Sequence, residues 1–457
     1  MEVKIISTQI VKPSSPTPSH LRELMFSFLD QKNCSLTVPA VLFYRALPDE
    51  ATPLDIARLR TGLSETLTCF YPLAGRYKTW GTIICNDEGV PFIEAHVNCP
   101  ISALISSPTS SNVDFLSFYP PGENLQKSGI HLAIQVNVFT CGGFAIGWYH
   151  THKVTDGVSV STFFQHWAAL VTQRYKDASQ TKPDFRSGAI SFSPLPEEDK
   201  PMTPEQNETE EKKETNNSFF SNRIEVRSFV FKNEAVTELK AKSVSDHVTN
   251  PSRFEAVSGF IWKQILLASP KEGRSMLSIV VDIRPRTDPP MPNGSIGNLV
   301  ETAFVRAQKR AELPEFVSEI RGSITKIKEL ASEYQSENRG EAREKHWKGF
   351  INNFIECKGK DVYILTSWCK SAGYSNVDFG FGKPIWIVPL DDKFKPSNNL
   401  RNTIVLTEVS DLNGDGFEAW LFMEEEVIKF LESNSEFLAF ASPNFGRKCD
   451  SDTDDMC

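Results

Sequence analysis

One polar segment constrains the fold of this 457-residue chain more than any other feature. Residues 195–218, LPEEDKPMTPEQNETEEKKETNNS, contain almost no apolar side chains. Such a segment cannot bury enough apolar surface to offset the conformational entropy that it would lose on folding. It predicts a solvated linker, which we place at residues 195–222, between two halves of similar length. Two domains are also what a chain of this length is expected to form.

Both halves combine helix and strand patterns. In the first half, residues 56–70 carry a helical stripe formed by Leu59, Leu63, Leu67 and Phe70. Residues 131–140, HLAIQVNVFT, alternate apolar and polar side chains as a half-buried strand does. A second apolar run, FAIGWYH, follows the CGG break, so residues 131–150 are predicted to form a hairpin.

The second half repeats this mixture. Ser252, followed three residues later by Glu255, is the pattern of a capping box, and an amphipathic run follows it. Residues 275–283, SMLSIVVDI, predict a buried strand, and the segments DVYILTSW and KPIWIVPL predict two more. Strands and helices in both halves indicate an α/β or α+β enzyme of two domains. The absence of a GxGxxG or Walker-type sequence makes a nucleotide-binding fold improbable.

Charge and composition exclude several classes of function. The net charge is −9, with a pI near 5.6, which argues against a basic nucleic-acid surface. The sequence contains no run of 18 apolar residues, so no membrane span is predicted. The first residues, MEVKIISTQIVKPSS, do not resemble a secretion signal. The nine cysteines form no CxxC pair or regular framework. Reduced thiols and a cytoplasmic location are therefore expected.

The segment HTHKVTDG, residues 150–157, carries the candidate chemistry. It lies between a predicted strand and a predicted helix, GVSVSTFFQHWAALV. His150 and His152 could share a metal, but a catalytic zinc needs three converging protein ligands, and no HExxH or similar partner motif is present. We therefore predict no metal. For His150 a structural packing role is the favoured interpretation.

Proton transfer fits this segment better. Asp156 and Gly157 stand where the helix would begin, and an aspartate there can cap free backbone N–H groups. His152 then lies on the connecting loop, where its side chain can reach a cleft and act as a general base. The HxxxD spacing alone, however, arises by chance in a chain with eight histidines.

The surrounding segments make the pattern specific. FYPLAGR, CNDEGVPFIEA, CGGFAIGWYHTHKVTDG, SRFEAVSGFIWK, GNLV, TSWC and DFGFGKPIW occur in this order along nearly the whole chain. Together they resemble the BAHD family of plant acyl-CoA-dependent acyltransferases, and the clade that acetylates alkaloid and terpenoid alcohols in particular. The family motif HxxxDG stands here at His152–Gly157. The second motif, DFGWG, stands at Asp378–Gly382 with Phe381 in place of tryptophan.

The resemblance implies a fold and a division of the chain. The expected fold is α/β, with two chloramphenicol-acetyltransferase-like domains and a solvent channel between them. Residues 1–194 would form the N-terminal half, residues 195–222 the crossover linker and residues 223–446 the C-terminal half. Residues 447–457 read as a disordered acidic tail. In such folds a C-terminal segment often completes the first sheet, so these boundaries are approximate.

The resemblance also implies roles for the residues of the first motif. His152 would remove the proton from an alcohol that attacks the thioester of an acyl-CoA. Asp156 either orients the imidazole, as in a triad, or forms a structural ion pair with Arg284, and the ion pair is favoured. The catalytic candidates are thus His152, Asp156 and Asp378, although for Asp378 the family implies a structural ion pair.

Further candidates concern the two substrates. By their position in the family, the resemblance gives Ser252, Arg253 and Ser367 as the candidates for binding coenzyme A, whose phosphates require cationic or N–H donors. The acceptor side of the channel would be lined by aromatic side chains, namely Trp148, Tyr149, Phe379 and Phe381. The indole N–H that Phe381 lacks could have held the oxyanion, but a plain wall position is the favoured interpretation.

The predicted function is transfer of an acetyl group from acetyl-CoA to a hydroxyl group of a terpenoid or alkaloid. Acetyl-CoA would be a co-substrate, with no permanently bound cofactor, and a monomer is expected. Two alternatives stay open at this point: a catalytically silent binding relative, and a condensation-type enzyme that uses a carrier-protein thioester.

Overall fold

The computed structural model describes most of the chain. The described residues are 1–32, 37–46, 54–105, 115–120, 128–180, 182–196, 224–268, 274–336, 338–356, 362–369, 373–389, 401–411 and 414–444. Most of the predicted linker and the whole predicted tail lie outside them.

Strands and helices occur in both halves. The strands are β1 (Val3–Val11), β2 (Glu23–Met25), β3 (Thr37–Tyr44), β4 (Arg76–Thr79), β5 (Thr82–Ile84), β6 (Val90–Val97), β7 (Leu132–Phe139), β8 (Phe144–Thr151), β9 (Ile224–Phe231), β10 (Arg274–Asp282), β11 (Val300–Gln308), β12 (Val362–Ser367), β13 (Trp386–Pro389), β14 (Thr403–Asp411), β15 (Gly414–Glu424) and β16 (Ser442–Pro443). The helices are α1 (Phe28–Lys32), α2 (Ile56–Cys69), α3 (Ile101–Ile105), α4 (Gly157–Val171), α5 (Tyr175–Gln180), α6 (Ser187–Ser191), α7 (Asn233–Lys242), α8 (Arg253–Ala268), α9 (Leu313–Gln335), α10 (Arg339–Glu356), α11 (Glu425–Ser433) and α12 (Ser435–Leu438).

Two mixed sheets organise the molecule. The first has six strands in the order β1-β6-β7-β8-β3-β13, and the second has seven in the order β11-β10-β12-β14-β15-β9-β16. A small sheet of β2, β5 and β4 lies beside them. Helices α2 and α4 pack on each other, and the indole N–H of Trp167 donates to the Leu59 carbonyl at 2.8 Å. The predicted α/β class is confirmed.

The first sheet takes strands from both halves of the sequence. Strand β13 pairs antiparallel with β3, with Trp386 opposite Phe43. A C-terminal segment therefore completes the N-terminal sheet, as the family resemblance implies. The division at residues 194 and 223 stays a prediction, because it follows the chain and not the sheets.

Several local predictions are confirmed. Strands β7 and β8 form the predicted antiparallel hairpin, with Leu132 opposite His150. The stripe at residues 56–70 corresponds to α2, which ends at Cys69. At the start of α8, the Ser252 N–H donates to the Glu255 carboxylate at 2.7 Å, and the Glu255 N–H donates to the Ser252 hydroxyl at 3.2 Å. Both bonds of the capping box are present.

The half-buried character predicted for the strand at 131–140 is wrong. Strand β7 lies inside the first sheet, between β6 and β8, and both of its faces are covered. Its polar side chains are buried and paired: Gln135 donates to the Ser117 carbonyl at 2.7 Å, and Asn137 donates to the Phe118 carbonyl at 2.8 Å. The polar residues that alternate with apolar ones along β7 are therefore buried hydrogen-bonding groups, and they do not form a solvent-exposed face of the strand.

No helix in the part of the chain that the structure describes is both long and apolar enough to cross a membrane.

Candidate active site

His152 lies on the loop between β8 and α4. Strand β8 ends at Thr151, and α4 begins at Gly157 with Asp156 as its N-cap. The Asp156 carboxylate accepts the Ser159 N–H at 2.9 Å. The predicted strand, loop and helix order is thus present, and the cap fixes where the loop ends.

A cavity of about 520 Å³ opens beside this loop. His152 lines it together with Ser252, Arg253 and Ser367. His152 lies on the loop before α4, Ser252 and Arg253 lie at the start of α8, and Ser367 lies at the end of β12. These three places are far apart in the sequence. The structure thus brings the predicted base and the three predicted coenzyme-binding residues to one cavity. The rest of the lining is mostly apolar and includes Phe254, Ile279, Val281, Val300, Ile324, Trp368 and Phe417.

The environment of His152 favours the neutral imidazole. Burial lowers its pKa below the ordinary value, although the Asp156 charge, the residue's own backbone carbonyl and the Asn298 side chain act in the opposite direction. The neutral ring has a nitrogen lone pair that can accept a proton. His152 is therefore ready to act as a base at neutral pH.

Asp156 is committed to Arg284. The guanidinium Nη1 donates to Asp156 Oδ2 at 2.7 Å, and Nη2 donates to Oδ1 at 3.1 Å. The Leu299 N–H also donates to Oδ2, at 2.9 Å. Burial would raise the pKa of this carboxyl, but Arg284 and the hydrogen bonds outweigh burial and lower it. Asp156 is thus a buried anion that ties the histidine loop to the C-terminal half.

Lys153, the residue after His152, anchors the same loop to the N-terminal half of the chain. Its side chain is buried, and Nζ donates to the Trp80 carbonyl at 2.6 Å. The ammonium lies over the rings of Phe26 and Tyr77, 5.3 Å and 5.8 Å from their centroids. This cation–π contact with the small sheet region holds the loop from the N-terminal side. Sequence reasoning missed it, because the three partners are remote in the chain.

His150 has a structural environment. The indole N–H of Trp148 donates to its Nδ1 at 3.2 Å. Burial, with His152 nearby, lowers the pKa of His150 to about 3, so the ring stays neutral. Among the described residues, no group of three or more His, Cys, Asp or Glu side chains could hold a metal ion.

Three of the aromatic residues predicted to line the acceptor side do not line this cavity. Apolar side chains of the first sheet and of helices α2 and α4 form one cluster, here called the first core. Trp148 is fully buried in it, stacked on Tyr374 at a centroid distance of 5.7 Å. Phe379 packs edge-on against Trp167 at 4.8 Å and is also buried. Tyr149 is buried in β8 as well. None of the three lines the 520 Å³ cavity. The alternation of side chains along a strand does not show whether a given side chain lines a cavity or packs in the core.

The DFGFG segment forms a tight turn away from that cavity. Asp378 Oδ1 accepts the N–H groups of Gly380 and Gly382 at 2.8 Å and 2.9 Å. Both glycines have positive φ, which glycine adopts without strain. Arg174 donates to the Asp378 carbonyl at 2.7 Å and lies 3.9 Å from its carboxylate. The structure does not bring Asp378 to His152, and these contacts give it a turn-forming role.

Phe381 packs on the first core, edge-on to Phe144 at a centroid distance of 5.0 Å. We expect Phe381→Trp to change the turnover number less than about threefold, because the side chain does not face the cavity and the swap keeps an aromatic of similar shape. Steady-state kinetics with acetyl-CoA would measure this. A gain of tenfold or more would mean that an indole N–H at this position does reach the oxyanion.

Two further buried residues lie near the histidine and were missed from the sequence. Asn298 follows Gly297 in the segment GNLV and is buried, and its side chain favours the charged form of His152. Asp30, at the start of the chain's first helix, accepts the Asn298 N–H at 2.5 Å. No spacing rule links residues this far apart, so only the fold could reveal them.

A solved structure shares this architecture over its whole length. The crystal structure of vinorine synthase superposes with a TM-score of 0.76 and 26% sequence identity, covering 98% of this chain and 100% of that one. The two mixed sheets, and the histidine in a cavity that residues from both halves of the chain line, define the chain as a two-domain acyltransferase.

Sequence comparison gives the family. A family model described as "Transferase family" matches residues 1–438. Stemmadenine O-acetyltransferase from Catharanthus roseus is 31% identical over 97% of this chain and 99% of its own length. A limonoid 21-O-acetyltransferase from Melia azedarach is 30% identical, over 97% and 99%. The chain belongs to this family, the BAHD acyltransferases, so the predicted family and enzyme class are confirmed.

Proposed function

We propose that the protein transfers an acetyl group from acetyl-CoA to a hydroxyl group of a terpenoid or alkaloid, with His152 as the general base. One observation carries the proposal: His152 shares a cavity with Ser252, Arg253 and Ser367. A base and a set of phosphate-binding side chains at one cavity are what a coenzyme A thioester and an alcohol require. The cytoplasmic location and the monomeric state belong to the same proposal.

The reaction follows from these parts. The neutral imidazole takes the proton of the acceptor hydroxyl as its oxygen attacks the thioester carbonyl carbon. A tetrahedral oxyanion forms and collapses, breaking the carbon–sulfur bond and expelling the coenzyme A thiolate. The imidazolium then returns the proton to sulfur, which restores the neutral base. The thioester is already activated, so positioning both substrates and one base suffices.

Arg253 is the proposed partner of the coenzyme phosphates. It lies at the first turn of α8, where backbone N–H groups and the helix dipole also favour an anion. Its guanidinium stacks on Phe417 at 5.2 Å, which orients the charge at the cavity wall. Ser252 and Ser367 add hydroxyl groups at the same cavity.

The acceptor class rests on the relatives and on the cavity wall. The relatives named above are acetyltransferases of stemmadenine and of limonoids. The apolar side chains of the wall, such as Ile279, Val300 and Phe417, suit a bulky apolar skeleton better than a sugar or an amino acid.

A direct assay tests the proposal. The purified chain is incubated with acetyl-CoA and a panel of hydroxylated terpenoids and alkaloids, while a thiol reagent follows free coenzyme A. We expect thiol release that depends on the acceptor, with a product heavier by one acetyl group in mass spectrometry. Binding of the acceptors without any thiol release would indicate a silent relative. Transfer from a carrier-protein thioester only would indicate a condensation-type enzyme.

Arg253→Ala is expected to weaken coenzyme A binding by roughly 10–150-fold, because one charge-assisted hydrogen bond to phosphate is worth about 1.5–3 kcal/mol. Isothermal titration calorimetry measures the change. Arg58→Ala is the matched control, since Arg58 carries the same charge on the exposed face of α2. Pantetheine, which lacks the phosphates, should bind both variants equally. Equal loss for pantetheine and coenzyme A would contradict the phosphate role.

A further inference from the structure

We propose that Cys99 and Cys141 form an oxidation site, at which a small disulfide such as glutathione disulfide converts two free thiols into one intramolecular disulfide. Both thiols are free and half-buried in the structure. The inference does not depend on the proposed function, because neither cysteine lines the cavity that contains His152.

Hydrogen bonds hold the two cysteine-containing segments side by side. Strands β6 and β7 run parallel, and their last paired residues are Val97 and Phe139. Just beyond them, the Thr140 N–H donates to the Cys99 carbonyl at 3.2 Å. The two segments therefore stay in contact past the ends of the strands, up to the residue before Cys141.

The Cys141 thiol lies against the chain that follows Cys99. Its Sγ accepts the Ile101 N–H at 3.4 Å. Both cysteine side chains pack on the same apolar cluster, which includes Val97 and Phe139 on one face of the first sheet. Burial is the main cause that raises the pKa of Cys99, and the neighbouring Cys141 thiol raises it further. The two thiols thus share one face and influence each other.

This placement meets the requirement for a disulfide bond. Neighbouring strands of a sheet lie about 4.8 Å apart, and a disulfide joins Cα atoms that are roughly 4.4–6.8 Å apart. Because the two side chains share one face, rotation about their Cα–Cβ bonds brings the sulfur atoms together without moving either strand. Spacing along the sequence does not reveal the pair, since parallel strands bring together residues that are remote in the chain.

A surface groove gives small molecules access to the pair. Its volume is about 390 Å³, and it is lined by Val97 and Asn98 from the end of β6 and by Phe139 and Thr140 from the end of β7. These residues directly precede the two cysteines. The other described thiols differ: burial raises the pKa of Cys85 to about 12, which keeps it protonated and unreactive.

The reaction is a thiol–disulfide exchange in two steps. One protein thiolate attacks a sulfur atom of glutathione disulfide and expels a glutathione thiolate, which leaves a mixed disulfide. The second protein thiolate attacks the protein sulfur of that mixed disulfide and expels the other glutathione. Each expelled thiolate takes up the proton that a protein thiol has lost. The two protein thiols are oxidised, and one glutathione disulfide is reduced to two glutathione molecules.

The new bond would lie away from the catalytic loop. The turn that contains Cys141 precedes β8, and His152 follows the other end of that strand. Oxidation is therefore expected to leave the rate of acyl transfer unchanged. It should raise the melting temperature by roughly 5 °C, because the bond restricts the unfolded chain between the two cysteines.

Peptide mapping tests the pair directly. The folded protein is incubated with glutathione disulfide at about pH 8, where thiolates are more abundant. Free thiols are then alkylated, and the protein is digested without reduction by a glutamate-specific protease, which cuts at Glu88 and Glu94 and so separates Cys85 from Cys99. We expect one linked pair of peptides that contains Cys99 and Cys141 and that comes apart after reduction.

Serine variants supply the controls. Cys99→Ser and Cys141→Ser should each abolish the linked peptides and the rise in melting temperature. Cys69→Ser is the matched control, since Cys69 is also free and half-buried, and it should keep both. Recovery of Cys99 and Cys141 in separate alkylated or glutathione-bound peptides would overturn the inference, as would a bond from either one to a third cysteine. Mapping of the original protein decides this, even where a serine variant does not fold.

Discussion

His152→Ala is expected to lower acyl transfer by roughly 10²–10⁴-fold, the contribution of a well-placed general base. An alcohol keeps its proton at neutral pH and is then a weak nucleophile. Without a base to remove that proton, its attack on the thioester is slow. The reaction is followed by thiol release from acetyl-CoA in the presence of an acceptor. The effect should appear in kcat, because the imidazole acts on the acceptor hydroxyl and not on the coenzyme phosphates.

The control for this variant is coenzyme binding. His152 lines the cavity, but Arg253 and Ser367 supply the groups proposed to hold the coenzyme. Calorimetry should therefore give the same affinity for coenzyme A in His152→Ala and in the original protein. A folded variant that keeps full turnover would remove His152 from the mechanism. Loss of coenzyme binding together with activity would instead indicate a damaged cavity.

The local structure around the base could be predicted from the sequence because its causes are local. Asp156 and Gly157 mark a helix start, and the N-cap bond to Ser159 is present at 2.9 Å. The capping box at Ser252 depends on residues three apart, and the hairpin ending at His150 depends on a neighbouring turn. Each of these needs only a few consecutive residues.

The packing of the site could not be predicted in this way, because it depends on which strands become central. Trp148 belongs to a strand with both faces covered, so its ring entered the core and not the cavity wall. Asn298 lies beside the histidine loop because Asp30 binds its N–H and Asp156 binds the N–H of Leu299, both from another part of the chain. No short-range pattern encodes contacts between residues so distant in sequence.

The pairing of Asp156 with Arg284 came from the family resemblance and not from spacing. Both ions are buried, with side chains 1% and 10% exposed, and they join the loop before α4 to the segment after β10. Such a pair is costly to break, because removing one partner leaves an uncompensated charge inside the protein. Removing one member of the pair is therefore expected to change the stability strongly.

Asp156→Asn is expected to destabilise the protein by about 3–5 kcal/mol, the usual cost of breaking a buried ion pair, because Arg284 then keeps only the partly exposed Asp282 as a counter-charge. Asparagine is chosen because its oxygen can still cap α4, so the cap is retained while the charge is lost. Urea denaturation measures the change in free energy of unfolding. Activity should fall as well, since a shift of about 1 Å in the loop can cost about 10² in rate.

A double-mutant cycle with Arg284→Met isolates the ion pair from the other contacts of Asp156. Methionine removes the charge and keeps much of the length, so Asp156→Asn/Arg284→Met leaves neither member of this pair as an unpaired ion. Asp282, whose side chain is 23% exposed and lies 3.0 Å from Arg284, loses its contact with the guanidinium in both Arg284→Met and the double variant. We expect the double variant to be more stable than the sum of the single losses predicts, by well over the ~0.5 kcal/mol that marks additivity. Glu425→Gln, at an exposed pair with Lys429 on α11, is the matched control and should leave the unfolding midpoint unchanged. Additive losses in the cycle would show that Asp156 acts through its cap and the Leu299 N–H, and that its charge contributes nothing.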